Sequence, residues 1–122
     1  MRNFRELDIW KMSKLLAVDI YRHTQRFPKS EAYGLASQIQ RCAVSIPSNI
    51  AEGCSRSSNR DFKRFLEIAI GSSFELETQL SIAHEVGYID HKGLTELSTT
   101  LSELQMKINA FIKKVKEFDN AG

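Results

Sequence analysis

The amino-acid sequence predicts an all-α fold, an up-down-up-down antiparallel four-helix bundle that forms a single domain over residues 1–122. Apolar residues recur at spacings of three and four in four segments, and none of these segments alternates with the period of two of a β-strand. The connections between the segments are short, which makes neighbouring helices antiparallel. A chain of 122 residues with 42% hydrophobic and 26% charged residues is also typical of one folded, soluble domain.

The first two helices are predicted over residues 8–27 and 30–53, with Pro28 closing the first and Ser30 capping the second. Pro47 lies inside the second helix. Because proline has no backbone N–H, we expect it to kink the helix without ending it. Nearby polar side chains are expected to satisfy the backbone groups that it frees, namely those of Ser45, Ser48 and Asn49.

The third and fourth helices are predicted over residues 58–87 and 90–118. A capping sequence that starts at Ser58 and has Asp61 three residues later opens the third helix, and Gly87 can end it. The fourth helix carries a sustained heptad seam, which favours packing against its neighbours at shallow crossing angles. The seam residues are Leu94, Leu97, Leu101, Leu104, Ile108, Phe111, Val115 and Phe118.

The formal net charge of +2 conceals an uneven distribution. Residues 1–64 hold twice as many basic as acidic side chains. Residues 65–106 hold seven acidic residues and a single basic one, Lys92. Two interpretations stay open. The distribution can steer an anionic partner to one region, or it can reflect solvated helix faces of opposite sign packed side by side.

Several apolar residues lie outside the core stripes of the first and third helices. Because an exposed apolar patch usually marks an association surface, we expect the protein to self-associate. The wide apolar faces of inner bundle helices are the alternative explanation. Gly71 in mid-helix favours self-association, since glycine there is best explained by the close approach of another backbone. The predicted interface residues are Trp10, Tyr21, Ile70 and Phe74.

The sequence contains none of the motifs that mark catalytic or nucleotide-binding sites, so we expect a protein that is not an enzyme and has no cofactor. The histidines His23, His84 and His91 share no spacing that would place two metal ligands on one helix face, and no metal site is expected. No apolar run is long enough to span a membrane, and the N-terminus is charged where a signal peptide would be apolar. A cytoplasmic location is therefore expected.

Four basic residues surround the predicted start of the third helix: Arg56, Arg60, Lys63 and Arg64. We call this group the basic corner. The backbone donors and the positive dipole end of a helix N-terminus favour anions, so the added cations predict a phosphate-binding site. The alternative is that Glu52 pairs with Arg56 or Arg60 and that the other cations are simply solvated.

Short motifs are spread over nearly the whole chain. The longest is the run Arg41-Cys-Ala-Val-Ser-Ile-Pro-Ser-Asn-Ile-Ala-Glu-Gly53. The others are Leu-Asp-x-Trp at 7–10, Phe-Pro-x-x-Glu at 27–31, Tyr-Gly-Leu-x-x-Gln-Ile at 33–39, Phe-x-x-Phe-Leu-x-Ile-Ala-x-Gly-Ser at 62–72 and Glu-Leu-Glu-Thr-Gln-Leu at 75–80. With these motifs the sequence resembles the four-helix-bundle proteins encoded within intervening sequences of bacterial 23S ribosomal RNA genes. Relatives of that family include the accessory variability proteins of diversity-generating retroelements.

The resemblance implies a homopentamer of bundles arranged as a barrel around a central channel. In the retroelement relatives a basic surface binds nucleic acid and a reverse transcriptase, whereas no activity is settled for the ribosomal-insert members. We therefore expect a non-catalytic, oligomeric nucleic-acid-binding protein that contacts RNA through backbone charge. The alternative is a protein-interaction scaffold that recruits a partner enzyme such as a reverse transcriptase.

Overall fold

The computed structural model describes residues 2–121, with side chains described as far as residue 116. None of residues 2–121 forms a β-strand, so the predicted all-α fold with four helices is confirmed. Short 3-10 turns at Phe4–Glu6 and Lys29–Glu31 precede the first and second helices. The helices are α1 (Asp8–Thr24), α2 (Leu35–Cys54), α3 (Asn59–Glu85) and α4 (His91–Ala121).

Successive helices run antiparallel and pack side by side. The thiol of Cys42 in α2 donates to the Ser72 carbonyl in α3 at 3.0 Å, while Gly53 at the end of α2 lies against Phe62 at the start of α3. The later part of α2 therefore lies beside the earlier part of α3, so the two helices run in opposite directions. The same reversal relates α3 to α4, as shown by the contacts Phe62–Phe111 and Glu77–Gln105. Because α1 and α3 both pack against α2 and α4, they occupy diagonal corners of the bundle.

The core consists of large apolar side chains from all four helices. Burial of each such side chain contributes about 1.5–3 kcal/mol relative to leaving it in water. The predicted seam of α4 is buried or half-buried from Leu94 to Val115, and the side chain of Phe118 lies outside the described residues. The largest fully buried side chains are Phe62, Leu16, Ile20, Ile39, Ile46, Ile50, Leu66, Leu76, Leu80, Leu101, Leu104 and Ile108.

The first helix is shorter than predicted, because α1 ends at Thr24 and does not reach Phe27. Pro28 disfavours the helical conformation of the residue before it, so the chain leaves the helix ahead of the proline. The Thr24 hydroxyl donates to the carbonyl of Tyr21 at 3.2 Å and accepts a bond from the Gln40 amide at 2.9 Å. These bonds tie the end of α1 to α2.

The second helix begins at Leu35, so the predicted cap at Ser30 is wrong. Glu31 performs the capping instead, since its Oε1 atom accepts a hydrogen bond from the Leu35 backbone N–H at 3.2 Å. Its other carboxylate oxygen accepts from the Tyr88 hydroxyl at 2.9 Å, and this bond raises the pKa of Tyr88. The Glu31 cap is held by Tyr88, which lies 57 positions away in the sequence, and the local sequence pattern does not reveal such a partner.

Pro47 lies inside α2, which continues from Leu35 to Cys54, so the prediction that the proline does not end the helix is confirmed. The predicted role of the Ser45 hydroxyl is wrong. That hydroxyl shares a hydrogen bond of 2.8 Å with the Ser72 hydroxyl of α3. The Asn49 amide donates to the Ser45 carbonyl at 2.8 Å. The Ser45 hydroxyl therefore helps to join α2 to α3, and the Asn49 amide bonds within α2. Neither contacts the carbonyl freed by the proline, which belongs to Ala43.

The end of α2 approaches α3 so closely that only glycine fits. A Cβ atom on Gly53 would lie 2.8 Å from Cβ of Phe65 and 3.0 Å from Cδ1 of Phe62. Both rings are anchored in the first turns of α3, so neither can move without a shift of its helix. The opposite end of α3 is closed by Gly87, whose φ of +88° suits a left-handed helix end.

We predict that Gly53→Ala lowers the free energy of unfolding by about 1–3 kcal/mol, the usual cost of overpacking a filled site. The matched control is Ser48→Ala, which introduces alanine at an exposed position of the same helix and is expected to leave the free energy of unfolding unchanged or slightly raised. Urea unfolding followed by circular dichroism measures both. Equal stability of the two variants would contradict the close approach of α2 and α3.

Candidate nucleic-acid interface

The basic corner lies at the connection between α2 and α3. The Ser58 hydroxyl accepts a hydrogen bond from the backbone N–H of Asp61 at 3.1 Å, which confirms the predicted cap of α3. This bond fixes the direction in which the chain enters α3. It therefore also sets where the first two turns of the helix present their cations.

Two arginines of the basic corner share one buried aromatic ring. The guanidinium carbon of Arg56 lies 4.8 Å from the centre of the Phe65 ring, and that of Arg64 lies 5.2 Å from it. Cation–π contacts of this kind hold an arginine in place at a gain of about 0.5–1 kcal/mol. Because Phe65 itself is buried, its ring anchors the arginines and offers no surface on which a base could stack.

The ion pairs of the basic corner join residues that lie four positions apart in the sequence. Arg56 pairs with Glu52 at 3.3 Å, which is the pair that the alternative interpretation of the sequence predicted. Lys63 pairs with Glu67 at 3.6 Å. Such exposed pairs contribute only about 0.3–0.5 kcal/mol and exchange readily for other anions. Among the side chains that the structure describes, Arg60 and Arg64 have no carboxylate partner.

Arg2 joins the basic corner, although sequence reasoning did not place it there. Its backbone N–H donates to the Cys54 carbonyl at the end of α2, at 3.3 Å. Its guanidinium lies 4.1 Å from the centre of the Phe62 ring and donates to Oδ1 of Asn59. More than fifty residues separate Arg2 from these partners in the chain, and the only available signal was a basic N-terminus with Arg2 and Arg5.

The corner remains electropositive after its internal pairs are counted. Its four cations outnumber the three carboxylates within four positions of them in the sequence, which belong to Glu52, Asp61 and Glu67, and Arg2 adds a fifth cation. The helix dipole of α3 adds positive potential at the same place. The arrangement can therefore hold phosphate groups by charge and by hydrogen bonds from guanidinium groups.

The structure separates the four residues predicted for an oligomer interface. Tyr21 and Phe74 are exposed, at 42% and 53% of their surface, but they lie on the diagonal helices α1 and α3. Trp10 is half-buried, with the Phe4 ring packed edge-on against it at 5.1 Å. Ile70 is half-buried against the core. Intrachain packing therefore already uses much of the surface of Trp10 and Ile70.

A cleft of about 420 Å³ lies between the start of α1 and α4. The charged side chains along it are Glu6, Asp8, Lys107 and Lys114, and no cysteine, serine or histidine lines it. Over the described part of the chain, no group of three or more His, Cys, Asp or Glu side chains is placed to hold a metal ion.

Both cysteines are buried thiols. Burial, helped by the Glu75 carboxylate, raises the pKa of Cys42 from 9.0 to about 11. Burial also raises the pKa of Cys54, although Arg2 opposes the effect. Because the thiolate is the nucleophilic form, neither cysteine is activated for chemistry at neutral pH.

The fold defines the protein's class as an antiparallel four-helix bundle, and in this chain a cluster of cations lies at the start of α3. The sequence model described as 23S rRNA-intervening sequence protein matches residues 5–110, and the chain belongs to that family. The chain is also similar to a crystal structure from Bacteroides thetaiotaomicron VPI-5482, described as a protein with unknown function from the S23 ribosomal protein family. The two share 25% sequence identity with a TM-score of 0.78, over 86% of this chain and 98% of the other. No curated protein sequence matches the chain.

The helices described in residues 2–121 include none that is long and apolar enough to cross a membrane.

The raised thiol pKa leads to a prediction for alkaline pH. The Cys42 thiol ionises near pH 9 in the unfolded chain and near pH 11 in the folded one, so the folded state holds the proton longer. The free energy of unfolding should therefore fall as the pH rises from about 9 to 11. Urea unfolding at several pH values measures this slope, and Cys42→Ala should make it shallower. An identical slope in the variant would contradict the buried, neutral thiol.

Proposed function

We propose that this protein is a non-catalytic, oligomeric nucleic-acid-binding protein that contacts RNA through its phosphate backbone at the basic corner. The observation that carries the proposal is the gathering of Arg2 with the four residues of the basic corner at the N-terminus of α3. These cations come from the chain's N-terminal segment, from the connection after α2 and from α3 itself. Such convergence on one surface is what a polyanion requires.

Contact with phosphate is favoured over contact with bases. The aromatic rings at the corner, Phe62 and Phe65, are buried beneath guanidinium groups, so they are not free to stack on bases. Arg60 and Arg64 are exposed and available to bind phosphate oxygens. Binding of this kind depends on backbone charge and discriminates little among sequences. The choice of RNA is part of the proposal, since contacts to backbone phosphates alone do not separate RNA from DNA.

The proposal includes self-assembly in the cytoplasm, with five copies as the resemblance to the retroelement accessory proteins implies. A ring would present one basic corner per copy to a flexible polyanion. Weak contacts at several corners then add up, because binding at the second corner takes place at high effective concentration. This arrangement would bind RNA without any single strong site.

A second candidate function is a scaffold that recruits a partner enzyme such as a reverse transcriptase. The specific observation in its favour is the exposure of apolar side chains on α3, including Phe74, Ile82 and Val86, beside several glutamates. A surface of this composition suits protein contact and repels nucleic acid.

We predict that the double substitution Arg60→Glu and Arg64→Glu weakens RNA binding regardless of RNA sequence. The slope of log affinity against log salt should fall in magnitude by roughly 0.7 for each phosphate of a single strand that the variant no longer binds. Filter-binding titrations at several salt concentrations measure both quantities. Because both side chains are exposed, circular dichroism should show unchanged helicity.

The matched control is Arg26→Glu with Lys29→Glu, which makes the same change of charge at the opposite end of the bundle. The control should bind RNA nearly as the parent does. If both double variants bind RNA equally weakly, the overall net charge drives binding and the corner has no special role. If the Arg60/Arg64 variant binds as the parent does at about 0.1 M salt, the scaffold function becomes the better account.

A further inference from the structure

The outward side of α3 is an unpartnered face that is both apolar and acidic. Residues at spacings of three and four project from it around Gly71, and we call this group the acidic α3 face: Ile68, Phe74, Glu75, Ile82 and Glu85. Its apolar members are exposed to 44–53%. Residues 65–86 contain no lysine or arginine, so nothing on this stretch of α3 neutralises the glutamates.

Gly71 at the centre of this face has no explanation within the chain. A Cβ atom on Gly71 would meet no atom of the described residues within 4 Å. Glycine in a helix interior is unfavourable relative to alanine, and a small residue at the centre of a helix face lets a second helix cross closely. None of the described residues crosses α3 there, so the open space at Gly71 suits a helix of another molecule.

The outward side of α1 has the complementary composition. Leu15 and Val18 are exposed there, at 63% and 42% of their surface, and cations flank them one helical turn away. We call this group the basic α1 face: Lys11, Lys14, Leu15, Val18 and Arg22. Arg22 pairs with Asp19 at 3.3 Å, and the lysines of this face form no salt bridge among the described side chains.

We infer that the basic α1 face of one copy docks on the acidic α3 face of a second copy, with the helices crossing at Gly71. The apolar residues of each face would be buried between flanking rows of opposite charge. Since α1 and α3 occupy diagonal corners, the two faces look away from each other and cannot meet within one chain. A contact between unlike faces leaves one face of each kind free, so it adds further copies in the same sense, and the rotation between successive copies decides whether they close into a ring. This inference rests on the self-association in the proposed function, and it assigns the surfaces that carry it.

The experiment uses two variants, each of which disables one face. Leu15→Glu with Val18→Glu disables the basic α1 face, and Gly71→Leu with Phe74→Glu disables the acidic α3 face. All four positions are exposed, so the bundle should keep its helicity. Light scattering after size exclusion should give the mass of one 13.9 kDa chain for each variant and several times that mass for the parent. An equimolar mixture of the two variants should form a species of two chains, because each supplies the face that the other lacks. Met106→Glu, an exposed position on α4, is the control that should keep the parent's mass.

Three outcomes would overturn the inference, and they are distinguishable. If the parent protein has the mass of one chain, it does not self-associate, and the acidic α3 face would then suit a basic helix of a different protein. Variants that keep the parent's mass show that copies meet elsewhere, while self-association itself stands. Variants that are both single chains but do not pair in the mixture exclude a contact between unlike faces.

RNA binding by the variants is measured separately: with the basic corner intact they should bind, more weakly than the parent, whereas a parent that binds no RNA removes the proposed function alone.

Discussion

The close packing of Gly53 against Phe62 and Phe65 is the constraint on which the rest of the candidate site depends. The missing side chain lets the end of α2 rest on the first turns of α3. The two phenylalanine rings that it touches are also the rings that hold Arg2, Arg56 and Arg64. One apolar contact therefore fixes both the angle between two helices and the position of three cations. A larger residue at position 53 would disturb the fold and the basic corner together.

Basic and acidic residues cluster on different parts of this bundle. Clusters of cations lie at the start of α3 and on the outer side of α1, whereas α3 beyond Phe65 carries glutamates and no lysine or arginine. A net charge of +2 would give little attraction to a polyanion if it were spread evenly. Concentrated at one helix N-terminus, the cations create a local electropositive surface. The acidic side of the molecule repels nucleic acid and is left free for protein contact, so the two proposed surfaces do not compete.

The sequence was sufficient to predict the parts that depend on local chemistry. The four helices, the cap at Ser58 and the passage of α2 through Pro47 all follow from periodicity and from residues within one or two turns. The errors at the start of α2 and in the membership of the basic corner arose where distant residues act. The start of α2 depends on Glu31, which is held by Tyr88, and the basic corner includes Arg2, which is held by Asn59. Exposed apolar residues were identified correctly on Tyr21 and Phe74, but periodicity did not show that Phe4 covers part of Trp10.

Hydrogen–deuterium exchange of the intact protein with and without a single-stranded RNA oligonucleotide tests the central claim most directly. The method reports which backbone amides the RNA protects, without any substitution that could alter the fold. Binding at the basic corner should slow exchange in the connection after α2 and in the first turns of α3, over residues 55–64. Protection confined to α1, or to the outer side of α4, with unchanged exchange over residues 55–64, would contradict the account.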